Sequence, residues 1–432
     1  MTVIRPNSIS GINSITAQVS ALNFYDSAGA ALPVTAGAIN VDNINATGVS
    51  TFANATIAGG SITGVSTIGV TTITATTLTV NGNAYPSAGP LSNRNKIING
   101  DMRIDQRNAG ASVTLSSDLF IVDRFYARTQ SATDSTAQRS TTAPSGFTNS
   151  LLITIGTGAS PASSATNAIR QEIEGFNIAD LGWGTASAKT VTLSFWVRSS
   201  LTGTFGGALS NGDLNRAYPY TYTISVADTW EYKTVTIEGD TSGTWATDNS
   251  SGIRFWVDLG SGTDKQGTAG AWAASDYRAA SGCTQLVATT GATLNITGVQ
   301  LEAGSVATPF ERRSYGDELA RCQRYYYRLY ADSGRTFAVG YNQNTTATRN
   351  IIHFPVTMRS APTALEQTGT ASNYRVLIGA TVISCSAVPT LNSTTTNTGE
   401  VQATVSSGLT AGQGNCLESN ANGTYLGFTA EL

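Results

Sequence analysis

Apolar residues recur about every five positions in the first quarter of the chain. Ile39, Ile44 and Val49 form one run, Ile57 and Ile62 a second, and Ile68, Ile73 and Leu78 a third. Val41, Ala46, Val70, Ala75 and Val80 follow two residues behind, and TGVST occurs at 47–51 and again at 63–67. A period of five breaks the strict alternation of a half-buried strand, so each beat reads as a short strand plus a turn. One chain of this kind encloses little core. Three wound together, or one coiled as a solenoid, enclose more. Residues 36–90 are therefore read as a β-repeat stalk, trimeric by preference, that ends in a neck marked by Pro86, Gly89 and Pro90. A disordered linker is the competing reading, but disordered segments are poor in β-branched residues.

Other segments follow different patterns. Residues 1–35 read as a short β-containing arm, with Val19, Leu22 and Phe24 before a DSAG turn. From residue 91 onward, alternation of period two takes over. VTLSFWVR sets Val191, Leu193, Phe195 and Val197 on one face, and IRFWVDLG sets Ile253, Phe255, Val257 and Leu259 on one face. With SLLITIG, IRQEIEG, YTYTISV, WEYKTVTIEG and TLNITGVQLEAG, and no amphipathic helices between them, residues 91–314 predict a β-sandwich of the jelly-roll kind. The spacing of Leu319, Cys322, Tyr326 and Leu329 predicts a short helix over 315–330. Asp317 and Glu318 lie in its first turn, where the helix dipole favours them. Strands then resume to residue 432, so 315–432 reads as a helix linker and a small C-terminal β knob. The fold class is all-β.

Charged residues make up 12% of the 432 residues, about half the usual share of soluble domains. Between Asp42 and Arg94 there are none, which suits a stalk that hides its apolar side against copies of itself. The formal charge of -3 gives no general field for a polyanion, so no nucleic-acid partner is expected. No run is long and apolar enough to span a membrane, and MTVIRPNSIS lacks the basic and apolar regions of a signal peptide. The four cysteines, Cys283, Cys322, Cys385 and Cys416, form no CxxC or metal-like spacing. Separate thiols are expected, with a Cys385–Cys416 bridge left open. A single histidine, His353, disfavours His-based metal sites and Ser-His or Cys-His chemistry. No cofactor, metal or catalytic residue is expected.

The candidate binding residues come from strand parity. Opposite the core, VTLSFWVR carries Thr192, Ser194, Trp196 and Arg198, and IRFWVDLG carries Arg254, Trp256 and Asp258. Each strand sets a tryptophan beside charges, as sugar sites do: flat apolar sugar faces stack on rings and hydroxyls meet Arg and Asp. Packing under a neighbouring subunit or loop explains the same pattern. Trp183, Trp245 and Trp272 lie in loops, where binding aromatics are common, although each could equally plug the sandwich. Tyr218, Tyr220 and Tyr222 share one face and read as core or interface. Glu172 and Glu174 share a strand face at a spacing that glycoside hydrolysis permits, but Arg170 on that face makes an Arg–Glu surface ladder the simpler reading. Arg321, Arg324 and Arg328 read as a solvated or intersubunit ion-pair stripe.

NRNKIINGDMRIDQRNAGASVTL with DLFIVDRFYA, SFWVRSSLTGTFGGAL with TWEYKTVTIEGDTSGTW, and GVQLEAGSVATPFERRSYGDELARCQRYYYRL resemble jelly-roll domains of bacteriophage tail fibres and other virion appendages. Together these motifs span residues 93–330, and the domain is similar to family 4/9-type carbohydrate-binding modules. FPVTMRSAPT resembles the small β knob that often follows such domains, and MTVIRPNSISGINSI with the TGVSTF beats resembles proteins of phages of marine cyanobacteria. The resemblance implies a non-enzymatic virion protein, a homotrimeric fibre joined to tail or head proteins through residues 1–35. Its distal β domains would contact a host-surface polysaccharide. A capsid decoration or connector without receptor binding, and a polysaccharide-degrading tailspike, are the alternatives.

Overall fold

The computed structural model describes residues 79–80, 83–84, 92–115 and 119–432. The chain divides into two units, 1–73 and 74–432, and every described residue belongs to the second. The predicted arm, and the predicted stalk apart from one short hairpin, lie outside the described residues.

The strands run as β1 (Thr79–Val80), β2 (Asn83–Ala84), β3 (Val113–Thr114), β4 (Leu119–Val122), β5 (Phe125–Arg128), β6 (Thr136–Ser140), β7 (Ser150–Thr154) and β8 (Ala168–Glu174). Then come β9 (Val191–Ser199), β10 (Gly203–Asn211), β11 (Ala217–Ile224), β12 (Glu231–Ile237), β13 (Ser251–Asp258), β14 (Gln266–Gly267), β15 (Ala279–Ala280) and β16 (Thr293–Ala303). After the helix α1 (Tyr315–Gln323) follow β17 (Tyr326–Ala331), β18 (Thr336–Asn342), β19 (Thr348–His353), β20 (Ala364–Gln367) and β21 (Tyr374–Ile378). The last are β22 (Thr381–Ser384), β23 (Ala387–Thr394), β24 (Thr398–Thr404), β25 (Gly414–Ser419) and β26 (Thr424–Thr429). The described residues are thus all-β with one short α-helix.

Two six-stranded antiparallel sheets, β11-β10-β13-β8-β5-β4 and β12-β9-β16-β7-β6-β3, form the first sandwich. Its core is set by strand parity. Val191, Leu193, Phe195 and Val197 of one sheet and Ile253, Phe255 and Val257 of the other are fully buried and pack together. Tyr220 and Tyr222 join this core. Phe195 meets Tyr222 edge-on at 5.0 Å between ring centroids, a geometry that favours aromatic pairs.

The two ends of this sandwich's sequence are clasped by buried polar groups. The Asn95 side chain donates to the Val299 carbonyl at 3.0 Å and accepts from the Leu301 amide at 3.0 Å. The Glu311 carboxylate accepts from the amides of Arg94 and Asn95. Glu302, 1% exposed, accepts from both the amide and the hydroxyl of Thr308. A buried carboxylate is tolerated only when its lone pairs are met in this way. The NRNK and QLEAGSVATPFER motifs therefore hold the sandwich closed.

Helix α1 is shorter than the spacing predicts. Ser314 caps it by accepting from the Asp317 amide at 3.2 Å, as Ser does at N-caps, but it ends at Gln323. Tyr326–Ala331 is instead strand β17, paired with β26. Tyr326 and Leu329 sit at helical spacing, but the run Tyr325–Tyr327 favours a pleated, half-buried surface. The strand partner decides the outcome.

The C-terminal domain packs a three-stranded sheet, β17-β26-β20, against the inner face of a seven-stranded one, β22-β21-β25-β18-β19-β24-β23. Its core contains Ile352, Val376, Val401, Leu417, Leu426 and Phe428. Charged contacts join the two domains. Arg324 grips Glu174 through two nitrogens, at 2.9 and 2.5 Å, and the Tyr325 hydroxyl donates to the same carboxylate at 2.6 Å. Glu174 is 1% exposed. The predicted arginine stripe is divided: Arg324 binds across the domain junction, Arg321 donates to Asn93, and Arg328 lies on β17 and donates to the carbonyls of Gln106 and Arg107.

Candidate functional site

Parity aims Trp196 and Trp256 away from the core, and the structure agrees with that aim. It does not bring them together. Trp196 and Arg198 lie on β9 and Arg254, Trp256 and Asp258 on β13, and these strands belong to opposite sheets. The five predicted residues therefore sit on two outer faces, with the whole core between them.

The β13 face is sealed. Trp256 is 2% exposed, and its indole nitrogen donates to the Ser210 hydroxyl at 2.9 Å. The Arg170 guanidinium lies 4.8 Å from its ring and 4.0 Å from that of Tyr126, and Arg278 approaches Trp256 at 5.0 Å. Ala168, Ala208 and Leu214 complete the packing. Glu172 accepts from the Tyr126 hydroxyl at 3.0 Å and pairs with Arg170 at 2.9 Å and Arg254 at 3.3 Å. The Arg–Glu ladder of the sequence is present, but buried.

Asp258 is also buried. One of its carboxylate oxygens accepts from the Ser261 amide at 2.8 Å, and the other has no hydrogen-bond partner. Burial pushes its pKa from 3.8 up to about 6. The folded chain thus holds a proton that the unfolded chain releases. That contribution is full below about pH 4 and lost as pH rises through 6. Asp258→Asn is expected to raise stability at pH 7 by on the order of 2–3 kcal/mol. The gain should shrink to nothing near pH 4. Urea midpoints across this range check it, and equal midpoints at pH 7 would count against it.

The β9 face is closed at Thr192 and Ser194, 1% and 2% exposed, and opens at Trp196 and Arg198. Residue Tyr232 on the edge strand β12 pairs in register with Trp196, and the two rings lie 5.3 Å apart at 46°. Tyr232 is 43% exposed and Trp196 half-buried. Exposure alternates along β12, with Tyr232, Thr234 and Thr236 outward. On β16, which flanks β9 on the side away from β12, Gly298 has φ of +63°, and a Cβ there would stand 2.8 Å from Phe147 and 3.2 Å from Trp196. Only glycine lets both rings close over this bulge. Arg198 is held by Asp228, whose carboxylate and carbonyl each accept at 2.9 Å. An aromatic platform thus sits beside a solvent-facing donor and acceptor, the set a sugar ring needs. Parity alone missed Tyr232, because recognising it requires the register of β12 on β9.

The loop tryptophans pack on one another. Trp183, Trp245 and Trp272 meet edge-on at 4.7 to 5.4 Å, and each indole N–H is bound by a backbone carbonyl. They plug one end of the sandwich. All four cysteines are free thiols. Cys385 lies in the core of the C-terminal domain, whereas Cys416 is half-buried on the outer face of its large sheet.

No protein-family model matches the sequence, and no curated protein matches it significantly. Solved structures align with about half of it. A candidate sugar-binding protein of Bacteroides thetaiotaomicron is 14% identical over 49% of this chain and all of its own, with a TM-score of 0.30. A module described as CBM4 is 13% identical over 48% of this chain and 97% of its own, with a TM-score of 0.26. The enzymatically active domain of tailspike protein 4 of bacteriophage CBA120 is 13% identical over 49% of this chain but 22% of its own, also with a TM-score of 0.26. At these values the likeness bears on neither ligand nor activity.

Proposed function

We propose that this chain is a non-enzymatic structural protein of a bacteriophage virion that binds a surface polysaccharide of the host. In this reading it is a homotrimeric fibre, attached to the particle through residues 1–35 and exposed on its surface. The observation that carries glycan binding is the Trp196–Tyr232 platform with the Arg198–Asp228 pair beside it. The fibre role is supported by the motifs at 93–330 and by the uncharged repeat between Asp42 and Arg94. Each platform binds weakly, and three copies on one particle raise the effective concentration.

Trp196→Ala and Tyr232→Ala are each expected to weaken binding to purified host polysaccharide at least tenfold, about 1.4 kcal/mol. The melting temperature should fall only modestly, because Tyr232 is exposed and Trp196 is half-buried on an outer face. Affinity electrophoresis, and competition of the soluble protein with phage adsorption, measure this. Undiminished binding in the double variant would remove the platform from consideration. Absence of any polysaccharide binding by the native chain would favour the decoration or connector role, which gains support from the burial of Trp183, Trp245 and Trp256. Cleavage is the least supported reading. Glu174 is locked by Arg324 and Tyr325, and Glu172 by Arg170, Arg254 and Tyr126, so neither carboxylate is presented as the acid or base that hydrolysis requires.

A further inference from the structure

We propose that copies of this chain meet through the outer face of the seven-stranded sheet in the C-terminal domain. The proposal rests on the homo-oligomeric fibre reading and adds to the trimer a two-fold contact between copies in different trimers, since a three-fold ring holds no two-fold pair. An antiparallel sheet with one face on a core normally turns polar residues outward. Here the inner face packs Ile352, Val376, Val401 and Leu417, yet the outer face carries an apolar row. Val382 pairs in register with Leu377, Leu377 with Cys416, Cys416 with Val339, and Val339 with Ile351. The row crosses five adjacent strands without a polar side chain. Val339 is 65% exposed, and Val382, Ile351 and the neighbouring Tyr341 are exposed as well.

The flanks say what fits there. On one side Arg375 and Glu418 pair at 2.8 Å, and on the other Arg349 pairs with Glu400. Both ion pairs are matched within the chain, so the face offers no net charge to a polyelectrolyte. Apart from Tyr341 at its margin, it has aliphatic groups and a thiol where a glycan would need ring faces and donors. The complementary surface is another apolar, charge-matched sheet, and a second copy supplies one. Seven strands of about six residues span roughly 30 by 20 Å. Two such faces together bury on the order of 1,200 Å², the lower end of specific interfaces. Two sheets packed face to face keep their strands within about 30°. A symmetric pairing then lays row on row and brings Cys416, at the centre of the row, near its own copy.

That placement gives a test on the native chain of 432 residues. A short bis-maleimide is expected to link Cys416 to Cys416 and give a covalent pair on a denaturing gel. Cys283, Cys322 and Cys385 are buried and should not compete. The pair should vanish in Cys416→Ser, and fall at least tenfold in Val339→Glu and in Ile351→Lys, whose exposed positions tolerate charge. Light scattering on the same samples separates the two readings. A multimer whose Cys416 thiols do not link, or whose linking survives Val339→Glu, overturns this face and leaves the fibre reading standing. A chain that is monomeric at all concentrations overturns both.

Discussion

An Arg124→Ala chain is expected to lose about 3–5 kcal/mol of stability. Arg124 is 2% exposed. It donates to the Glu172 carbonyl at 2.6 Å, pairs with Glu431, and lies 3.5 Å from the centre of the Tyr325 ring. It thus joins the first sandwich to helix α1's exit and to the end of the chain. Truncation leaves a cavity, an unmet carbonyl and a largely buried Glu431 that still pairs with Arg107 at 3.3 Å. Removing one partner of a buried pair costs far more than the pair contributes as a whole.

Two companion variants separate the causes. Arg124 has φ of +70°, a strained conformation for any residue with a Cβ. Arg124→Gly relieves that strain and should recover only part of the loss, under about 1 kcal/mol. Glu431→Gln should cost somewhat less than Arg124→Ala, and the double variant less than the sum, because both act on one contact. Urea unfolding measures all four chains. The Arg124→Ala chain should also unfold in two steps, since the joint between its domains is weakened. A loss below 1 kcal/mol, in one step, would show that Arg324–Glu174 and the other junction contacts hold the domains without it.

What the sequence disclosed, and what it hid, follows from the reach of strand parity. Alternation reports which side of a strand faces a core. It placed Phe195, Phe255 and their neighbours correctly because a one-residue slip would expose every one of them. The short helix was legible through Ser314 and the acidic first turn. Its end was not, because β17 depends on a partner about a hundred residues away. Parity cannot say which sheet a strand joins, so Trp196 and Trp256 looked like halves of one site. Nor can it say what covers an outward face. Glu172 and Glu174 read as a surface ladder, and each is buried by groups distant in sequence.

Trp256→Ala is the second large effect, and it tests that distinction directly. The indole is buried between Ala168, Ala208 and Leu214, with Arg170 and Arg278 beside its ring. Its removal leaves a large cavity and unmet hydrogen-bonding capacity at Ser210, so the expected cost is about 3–5 kcal/mol. Trp256→Phe keeps most of the ring but not the N–H, and should cost about 1–2 kcal/mol. Both losses are read from urea midpoints. Polysaccharide affinity, measured on the folded fraction at low temperature, should stay within twofold of the native chain. Trp196→Ala should show the opposite pattern, with binding weakened at least tenfold and most of the stability kept. If Trp256→Ala instead abolishes binding while the midpoint is unchanged, the β13 face opens to ligand in solution, and the platform belongs there rather than on β9. The crossed pair of measurements thus assigns the face, because each tryptophan is given one role and denied the other.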